Sequence, residues 1–420
     1  MTGGGNATIS LSPPYRLIEW NNPLGHFHLM QPLFIFGIAR SGTNLLCRML
    51  NRHPAVELAL DPFMPLFKSL RNRIVEECSD AQLKGTFDPR SAFEDYYFNP
   101  RGAATIDLLA AATPDYPFRE GDEAELRNAV AARANLESPA LAGRLMQATG
   151  ADYRTFLESA LDIIAQSNEG ADNLWCGSKE VWTVDFLPLL ARMYPAARFF
   201  VIERDPRAIV ASLLEMARKD SSQSAHFVSY ARHWRKFVVQ SRALASVPEI
   251  ADRVRIVTYE DLVSRPEDEA QRICAQLALD FVPEMLDVSA EGWIGNSSYG
   301  GNDGIYGLSL GQWRETLSHE VMQAIEFYCA PEMTLTAYVP LTDAAGRITP
   351  ALLRTVRDAA NSSGSWRSDS GQATNDMGGE LMRYALLDSP DDFDDQIVRE
   401  CFLYRQAYQD IRERARNGRT

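Results

Sequence analysis

The sequence predicts an α/β fold: a parallel β-sheet flanked by helices, with a helical insertion and a C-terminal helical extension. Three observations carry that prediction. The short, continuously apolar run Leu33–Ile38 is followed by Ala39-Arg-Ser-Gly-Thr43, and then by Leu45, Leu46, Met49 and Leu50 at helical spacing. That pattern reads as strand, tight loop, helix. Two later apolar runs, Arg198–Arg204 and Arg253–Tyr259, each lead into a helical pattern. Strands alternating with helices imply parallel pairing with both sheet faces covered.

In chain order, residues 1 to about 30 are rich in Gly, Asn and Pro and read as an irregular leader. Residues 62–170 are helical in pattern but broken at Asp88-Pro89, Asn99-Pro100-Arg101-Gly102 and Thr113-Pro114, which predicts an inserted helical lid or substrate region. A strand is expected at Leu174–Lys179 and a helix at Val184–Tyr194. The strand Arg198–Arg204 runs into a helix at Asp205-Pro206, where proline suits the first turn. A long helix is expected over Phe227–Leu244, then the strand Arg253–Tyr259 with a helix after it. Beyond Tyr338 the character changes. Asn361–Glu380 is polar and Gly/Ser-rich, the composition of a flexible linker. A single charged helix is expected over Asp394–Arg416, acidic first and basic last, which complements its dipole.

Charge narrows the function classes. The 420 residues carry 42 Lys and Arg against 56 Asp and Glu, a net charge of −14. The long-range field therefore repels phosphates, which argues against nucleic-acid partners and anionic membranes. An anionic ligand needs a local pocket. Cys47, Cys78, Cys176, Cys274, Cys329 and Cys401 form no CxxC pair and no regular spacing, so neither a disulfide framework nor a metal site is expected. A reducing cytoplasm is the expected setting. The first 20 residues lack the pattern of a signal peptide, and no segment reaches the roughly 18 apolar residues of a membrane helix.

The loop Gly37-Ile-Ala-Arg-Ser-Gly-Thr43 turns a strand directly into a helix, aiming backbone N–H groups and the positive helix end at one point. That is an anion site. A Walker A loop needs Lys after its second Gly, but Thr43 and Asn44 follow Gly42 and the cation, Arg40, sits inside the loop. The local alternative is that Ser41 caps the helix and Gly42 relieves a turn.

FIFGIARSGTNLL resembles the 5′-phosphosulfate loop of sulfotransferases that use 3′-phosphoadenosine-5′-phosphosulfate (PAPS). The resemblance implies a P-loop-type sheet and donor contacts from Arg40, Ser41, Gly42, Thr43 and Asn44. Glu203-Arg-Asp-Pro-Arg-Ala-Ile-Val-Ala-Ser212, with Arg204 and Ser212 eight residues apart, resembles the family's 3′-phosphate site. An ion-paired strand-end arginine beside a routine helical serine is the alternative. Lys179, 25 residues before Arg204, resembles the catalytic lysine of the tyrosylprotein-sulfotransferase-like branch and its bacterial relatives. Tyr259 in VTYEDLVSRP, 55 residues after Arg204, resembles that branch's nucleotide-contacting tyrosine. Asn296-Ser297-Ser298 and Gly307–Arg314 resemble the late loop that folds over PAPS and bring in Trp313 and Arg314. The match runs from about residue 31 to 338, which implies a sulfotransferase domain with the 62–170 region as acceptor-site insertion. Residues 339–420 are then linker and helical tail.

The implied reaction moves the sulfuryl group from PAPS to a hydroxyl or phenol and releases the desulfated nucleotide, PAP. Arg40 and Lys179 are the expected stabilisers of the bridging oxygen and sulfonate, with Ser297 or its neighbour Ser298 assisting. Asp61, 21 residues after Arg40, resembles in position the branch's catalytic glutamate. The alternatives are an Asp-Pro turn residue or a group that orients another base. Glu57 and Glu180 read as solvated or ion-paired, and His53 as structural. Trp182, Trp234, Trp293 and Trp313 are candidates to stack on adenine or an aromatic acceptor, Trp313 first among them. Three positions depart from the pattern. Asn44 replaces a threonine, Met216 falls where a basic residue is expected with Arg218 or Lys219 nearby, and Gln312 stands in for a lysine.

Competing readings are a P-loop kinase or phosphotransferase, disfavoured by the missing GK[ST], and a catalytically silent nucleotide-binding scaffold. A small or lipid-like acceptor is expected. The aromatic cluster Phe93, Tyr96, Tyr97 and Phe98 reads equally as an acceptor wall or as a packed helix face. A homodimer is the assembly left open.

Overall fold

The computed structural model describes residues 30–167, 174–219, 226–288, 305, 310–343, 348–362 and 377–417. The apolar run after residue 30 becomes β1 (Gln31–Gly37), which leads into α1 (Thr43–Asn51) and β2 (Val56–Leu60). Six helices follow before the next strand: α2 (Met64–Glu77), α3 (Ala81–Thr86), α4 (Gly102–Ala111), α5 (Asp122–Ala134), α6 (Pro139–Leu145) and α7 (Tyr153–Ala165). Then come β3 (Trp175–Val181), α8 (Leu187–Met193), β4 (Arg198–Glu203), α9 (Pro206–Lys219), α10 (Phe227–Ala245), β5 (Val254–Thr258), α11 (Tyr259–Ser264) and α12 (Pro266–Gln276). The chain closes with α13 (Trp313–Thr316), α14 (His319–Met333), α15 (Pro350–Ser362), α16 (Met377–Asp388), α17 (Asp395–Phe402) and α18 (Arg405–Asn417).

The five strands form one parallel sheet in the order β2-β3-β1-β4-β5. Side chains alternate between the faces. Leu33 and Ile35 pack under α1 and α12, whereas Phe34 and Phe36 join the larger core built with α2, α9, α10 and α14. From β1 the chain moves outward to β2, and from β4 it moves the opposite way to β5. Right-handed crossovers in opposite directions put α1 and α9 on opposite faces, opening a crevice at the carboxyl ends of β1 and β4.

The structure departs from the sequence expectations in three places. Val56–Leu60 is a strand that the pattern did not announce, and it carries Asp61 to the sheet edge. The tail is two helices rather than one, because Leu403 adopts φ 64 between α17 and α18. α16 begins at Met377, inside the stretch read as linker; the expected linker residues 363–376 lie outside the described residues. Among the described residues, no helix is long and apolar enough to cross a membrane.

Candidate active site

The β1–α1 loop holds an unusual backbone. Arg40 has φ 73 and Gly42 φ 102, so the turn passes twice through the left-handed region. Glycine is required at position 42: a Cβ there would lie 2.3 Å from Tyr259 Cδ2. The Ser41 hydroxyl donates back to the Ile38 carbonyl at 2.8 Å, and α1 starts at Gly42 without a side-chain cap. Ser41 therefore does not cap the helix, and the positive end of α1 carries no side-chain cap. Thr43 is buried against Gly37, and Asn44 stands in the first turn.

The loops after β1 and β4 meet across the crevice. Arg40 Nε donates to Ser212 Oγ at 2.9 Å, and Arg204 Nη1 donates to the Arg40 carbonyl at 2.9 Å. The Arg204 guanidinium lies 4.0 Å from the centroid of the Tyr259 ring, a cation–π contact. Its backbone carbonyl accepts the indole N–H of Trp234 at 2.9 Å, which ties the arginine to α10. Arg204 Nε is buried and, among the described residues, has no hydrogen-bond partner. A buried donor of that kind fits a ligand anion. Arg40, Gly42, Arg204, Ser212 and Tyr259 thus occupy one place.

A second group lies at the ends of β2 and β3. Lys179 is in register with Ile35 and Leu60, so its side chain shares their face under α1. It is 1% exposed and donates to Asp61 Oδ2. Asp61 Oδ1 accepts the Val181 N–H at 3.1 Å, and the Asp61 N–H donates to the Lys179 carbonyl at 2.8 Å. Arg133, on α5 of the insertion, donates its Nε to the Asp61 carbonyl at 3.3 Å and brings Nη2 to 3.7 Å from Oδ2. Cys47 on α1 feels the charges of both Lys179 and Asp61, which sets the pair beneath the first turns of that helix; burial pushes its thiol up to about 12.

Aromatic side chains cluster just past the end of β3. Trp182, at φ 70 just past β3, packs edge-on against Tyr230 at 5.3 Å and against His233 at 4.9 Å. Tyr230 feels the charge of Arg40, although burial pushes its hydroxyl up overall. Burial also lowers His233 to about 3, with the ammonium of Lys236 adding to the shift. His53 is structural, with Nε2 3.0 Å from the Asp280 carbonyl and Nδ1 accepting the Ala55 N–H at 3.1 Å.

The remaining expected residues have their own surroundings. Trp313 is buried, with the Arg207 guanidinium 4.2 Å and the Arg314 guanidinium 4.3 Å from its ring. Arg218 and Lys219 both pair with Glu215 on their own helix. Ser297, Ser298 and Trp293 lie outside the described residues. Tyr96 and Tyr97 are core: Tyr96 donates to Asp185 at 3.3 Å, and the Tyr97 ring lies 4.2 Å from the Arg235 guanidinium. Sequence reasoning missed Arg133, Tyr230 and the burial of Glu180. Arg133 carried no signal in a charge-rich helix, and Glu180, next to Lys179 in Trp175–Val181, carried little more.

Two sulfotransferase domains are among the solved structures that the chain resembles. The sulfotransferase domain from the curacin biosynthetic pathway is 15% identical at a TM-score of 0.40, covering 79% of this chain and 97% of that one. The sulfotransferase domain of the Synechococcus PCC 7002 olefin synthase is 17% identical at a TM-score of 0.36, covering 82% of this chain and 98% of that one. Two curated relatives are each named "Putative protein-tyrosine sulfotransferase". The Caenorhabditis briggsae protein is 27% identical over 189 residues, 42% of this chain and 64% of its own length. The Caenorhabditis elegans protein is 32% identical over 130 residues, 30% of this chain and 47% of its own length. The chain thus spans less than two thirds of the length of either relative. Residues 32–283, more than half of the chain, match the model of the sulfotransferase family, and the chain belongs to that family.

Proposed function

We propose that the protein transfers the sulfuryl group of PAPS to a hydroxyl or phenol of a small or lipid-like acceptor, releasing PAP. The observation that carries this reading is the junction of Arg40, Arg204 and Ser212 across the crevice, next to the uncapped start of α1. Two arginines and a helix N-terminus supply charge-assisted donors for two separated phosphate groups. That local concentration of cations offsets the net charge of −14.

In this reading the 5′-phosphosulfate lies along Ser41, Gly42, Thr43 and Asn44. Arg204, Ser212 and Tyr259 hold the 3′-phosphate side. Trp313 and Arg314 belong to the loop that borders the nucleotide. Asp61 takes the acceptor proton as the new S–O bond forms. Arg40 and Lys179 neutralise the charge that grows on the departing phosphate oxygen as the bridging S–O bond breaks, with Ser297 as a further donor. Arg133 and the rings of Trp182 and Tyr230 support an acceptor site on the insertion side, and an aromatic alcohol suits those rings. The catalytic unit is residues 31–338, with residues 339–420 as a helical extension. A cytoplasmic setting is supported by six free cysteines, and a small-molecule rather than nucleic-acid partner by the charge.

Labelled-sulfate transfer from PAPS to a panel of phenols and alcohols tests the reading, with PAP and ATP with magnesium titrated in parallel. Transfer together with tight PAP binding supports it. Binding of ATP with magnesium in preference to PAP, or PAP binding without transfer to any acceptor, overturns it.

A further inference from the structure

Glu180, read from the sequence as solvated or ion-paired, is 1% exposed and has no ion-pair partner among the described residues. It follows Lys179 on β3 and is in register with Phe36, so its side chain lies on the opposite face of the sheet, against the start of α2. Oε1 accepts the Phe63 N–H at 2.8 Å, while Oε2 is buried and, among the described residues, unpartnered. Phe63 is two residues past Asp61, and Pro62 separates them.

Asp61 has φ 52, a left-handed conformation that an aspartate keeps only when its surroundings hold it there. Three consecutive residues of β3 do so. The Lys179 carbonyl takes the Asp61 N–H, the Val181 N–H reaches Oδ1, and the Glu180 carboxyl takes the N–H at the far end of the turn.

We propose that Glu180 is a positioning residue for Asp61: its carboxyl anchors the Asp61-Pro62-Phe63 turn to β3 and so keeps the Asp61 carboxylate on Lys179. This rests on the reading of Asp61 as proton acceptor. Burial, and then the charge of Asp61, push Glu180 up to about 8, while the Phe63 N–H, Lys179 and Ser178 act the other way. Burial and the Asp61 charge thus both favour the protonated carboxyl, whose Oε1 still accepts the Phe63 N–H.

The test uses the full chain and the acceptor selected by the transfer assay, with PAP affinity and melting temperature as controls. Glu180→Leu cannot hold Phe63 and is expected to lower kcat by about 10- to 100-fold, as a small misplacement does, with PAP affinity unchanged. Glu180→Gln keeps an acceptor oxygen for the Phe63 N–H and is expected to retain kcat within a few fold of wild type. If Glu180→Leu does not fold, Glu180→Gln decides alone. Wild-type kcat in Glu180→Leu, or a kcat about 10-fold or more below wild type in Glu180→Gln, overturns the inference. An active Asp61→Asn protein instead overturns the base assignment itself. An inactive Asp61→Asn beside an unimpaired Glu180→Leu leaves that assignment standing and sinks only the role of Glu180.

Discussion

The Lys179 ammonium and the Asp61 carboxylate form a buried ion pair at the carboxyl edge of the sheet, with the Val181 N–H on the second carboxylate oxygen at 3.1 Å. Asp61, just past β2, is held by the backbone of β3 on either side of Glu180, so the pair is built into the β2–β3 register. Its two members carry separable roles. Asp61→Asn keeps the shape and removes the proton acceptor; the expected result is a kcat lower by about 10²- to 10⁴-fold with PAP still bound. Lys179→Met strands a buried carboxylate and is expected to cost about 3–5 kcal/mol of stability as well as activity. The double variant Lys179→Met/Asp61→Leu should recover much of that stability while staying inactive, which thermal melts and transfer assays together would show.

Arg204 predicts a nucleotide distinction. It meets Arg40, Tyr259 and Trp234 through different atoms, so its orientation does not depend on one contact. A charge-assisted hydrogen bond lost from a buried arginine is worth about 1.5–3 kcal/mol, so Arg204→Ala should weaken PAP roughly 10- to 100-fold. AMP, which lacks the 3′-phosphate, should bind both proteins alike. Arg204→Lys keeps the charge but not the planar fork, and calorimetry should place it nearer to Ala than to wild type.

Gly42→Ala meets two obstacles at once: φ 102 and a Cβ 2.3 Å from the Tyr259 ring. Left-handed strain alone costs about 1–3 kcal/mol. Melting should therefore fall in Gly42→Ala, and the added substitution Tyr259→Ala should relieve the clash without restoring wild-type stability.

Much of this site was legible because its parts are local. Strand, loop and helix from Leu33 to Leu50, and again from Arg198 to Ser212, are each written in one short stretch whose apolar run and turn residues agree. Val56–Leu60 was not legible as a strand, since five residues between His53-Pro54 and Asp61-Pro62 show no clean alternation when both faces are covered. The same two-sided burial hid Glu180, because a carboxylate beside a lysine in a strand reads as surface until the covering helices are known. Leu403 at φ 64 had no signal at all: leucine is a poor left-handed residue, and only its complete burial among Val398, Phe402 and Tyr408 selects that turn.

The C-terminal helices are expected to be required for folding. Leu386, Val398, Phe402, Tyr408 and Ile411 belong to the same core as Phe34 and Trp234. Arg383, fully buried, donates to Glu332, to Glu380 at 3.2 Å and to the Cys401 carbonyl at 2.9 Å. Arg235 on α10 reaches the same Glu380 oxygen at 2.6 Å. Arg383→Met removes a cation from this network and should cost about 3–5 kcal/mol. Arg405→Ala, at the exposed pair with Asp395, should cost about 0–1 kcal/mol. Denaturant melts of the two variants check the contrast.

His233 gives the acid limb of stability a specific source. It is buried on α10 beside Trp182, and burial, together with Lys236 and Arg232, lowers it from 6.5 to about 3 against the opposing pull of Asp95. Its Nδ1 is buried and, among the described residues, unpartnered, so no described hydrogen bond receives a second proton there. The unfolded chain binds that proton at higher pH than the folded chain does. The contribution of neutral His233 is therefore complete above 6.5 and is lost as pH falls toward about 3. His233→Phe fills the volume and cannot titrate. Its melting temperature should fall less steeply than that of wild type between pH 6.5 and 4, while the two curves run parallel above pH 7. Parallel curves through the whole range would mean that His233 is protonated as easily in the folded protein as in the unfolded one.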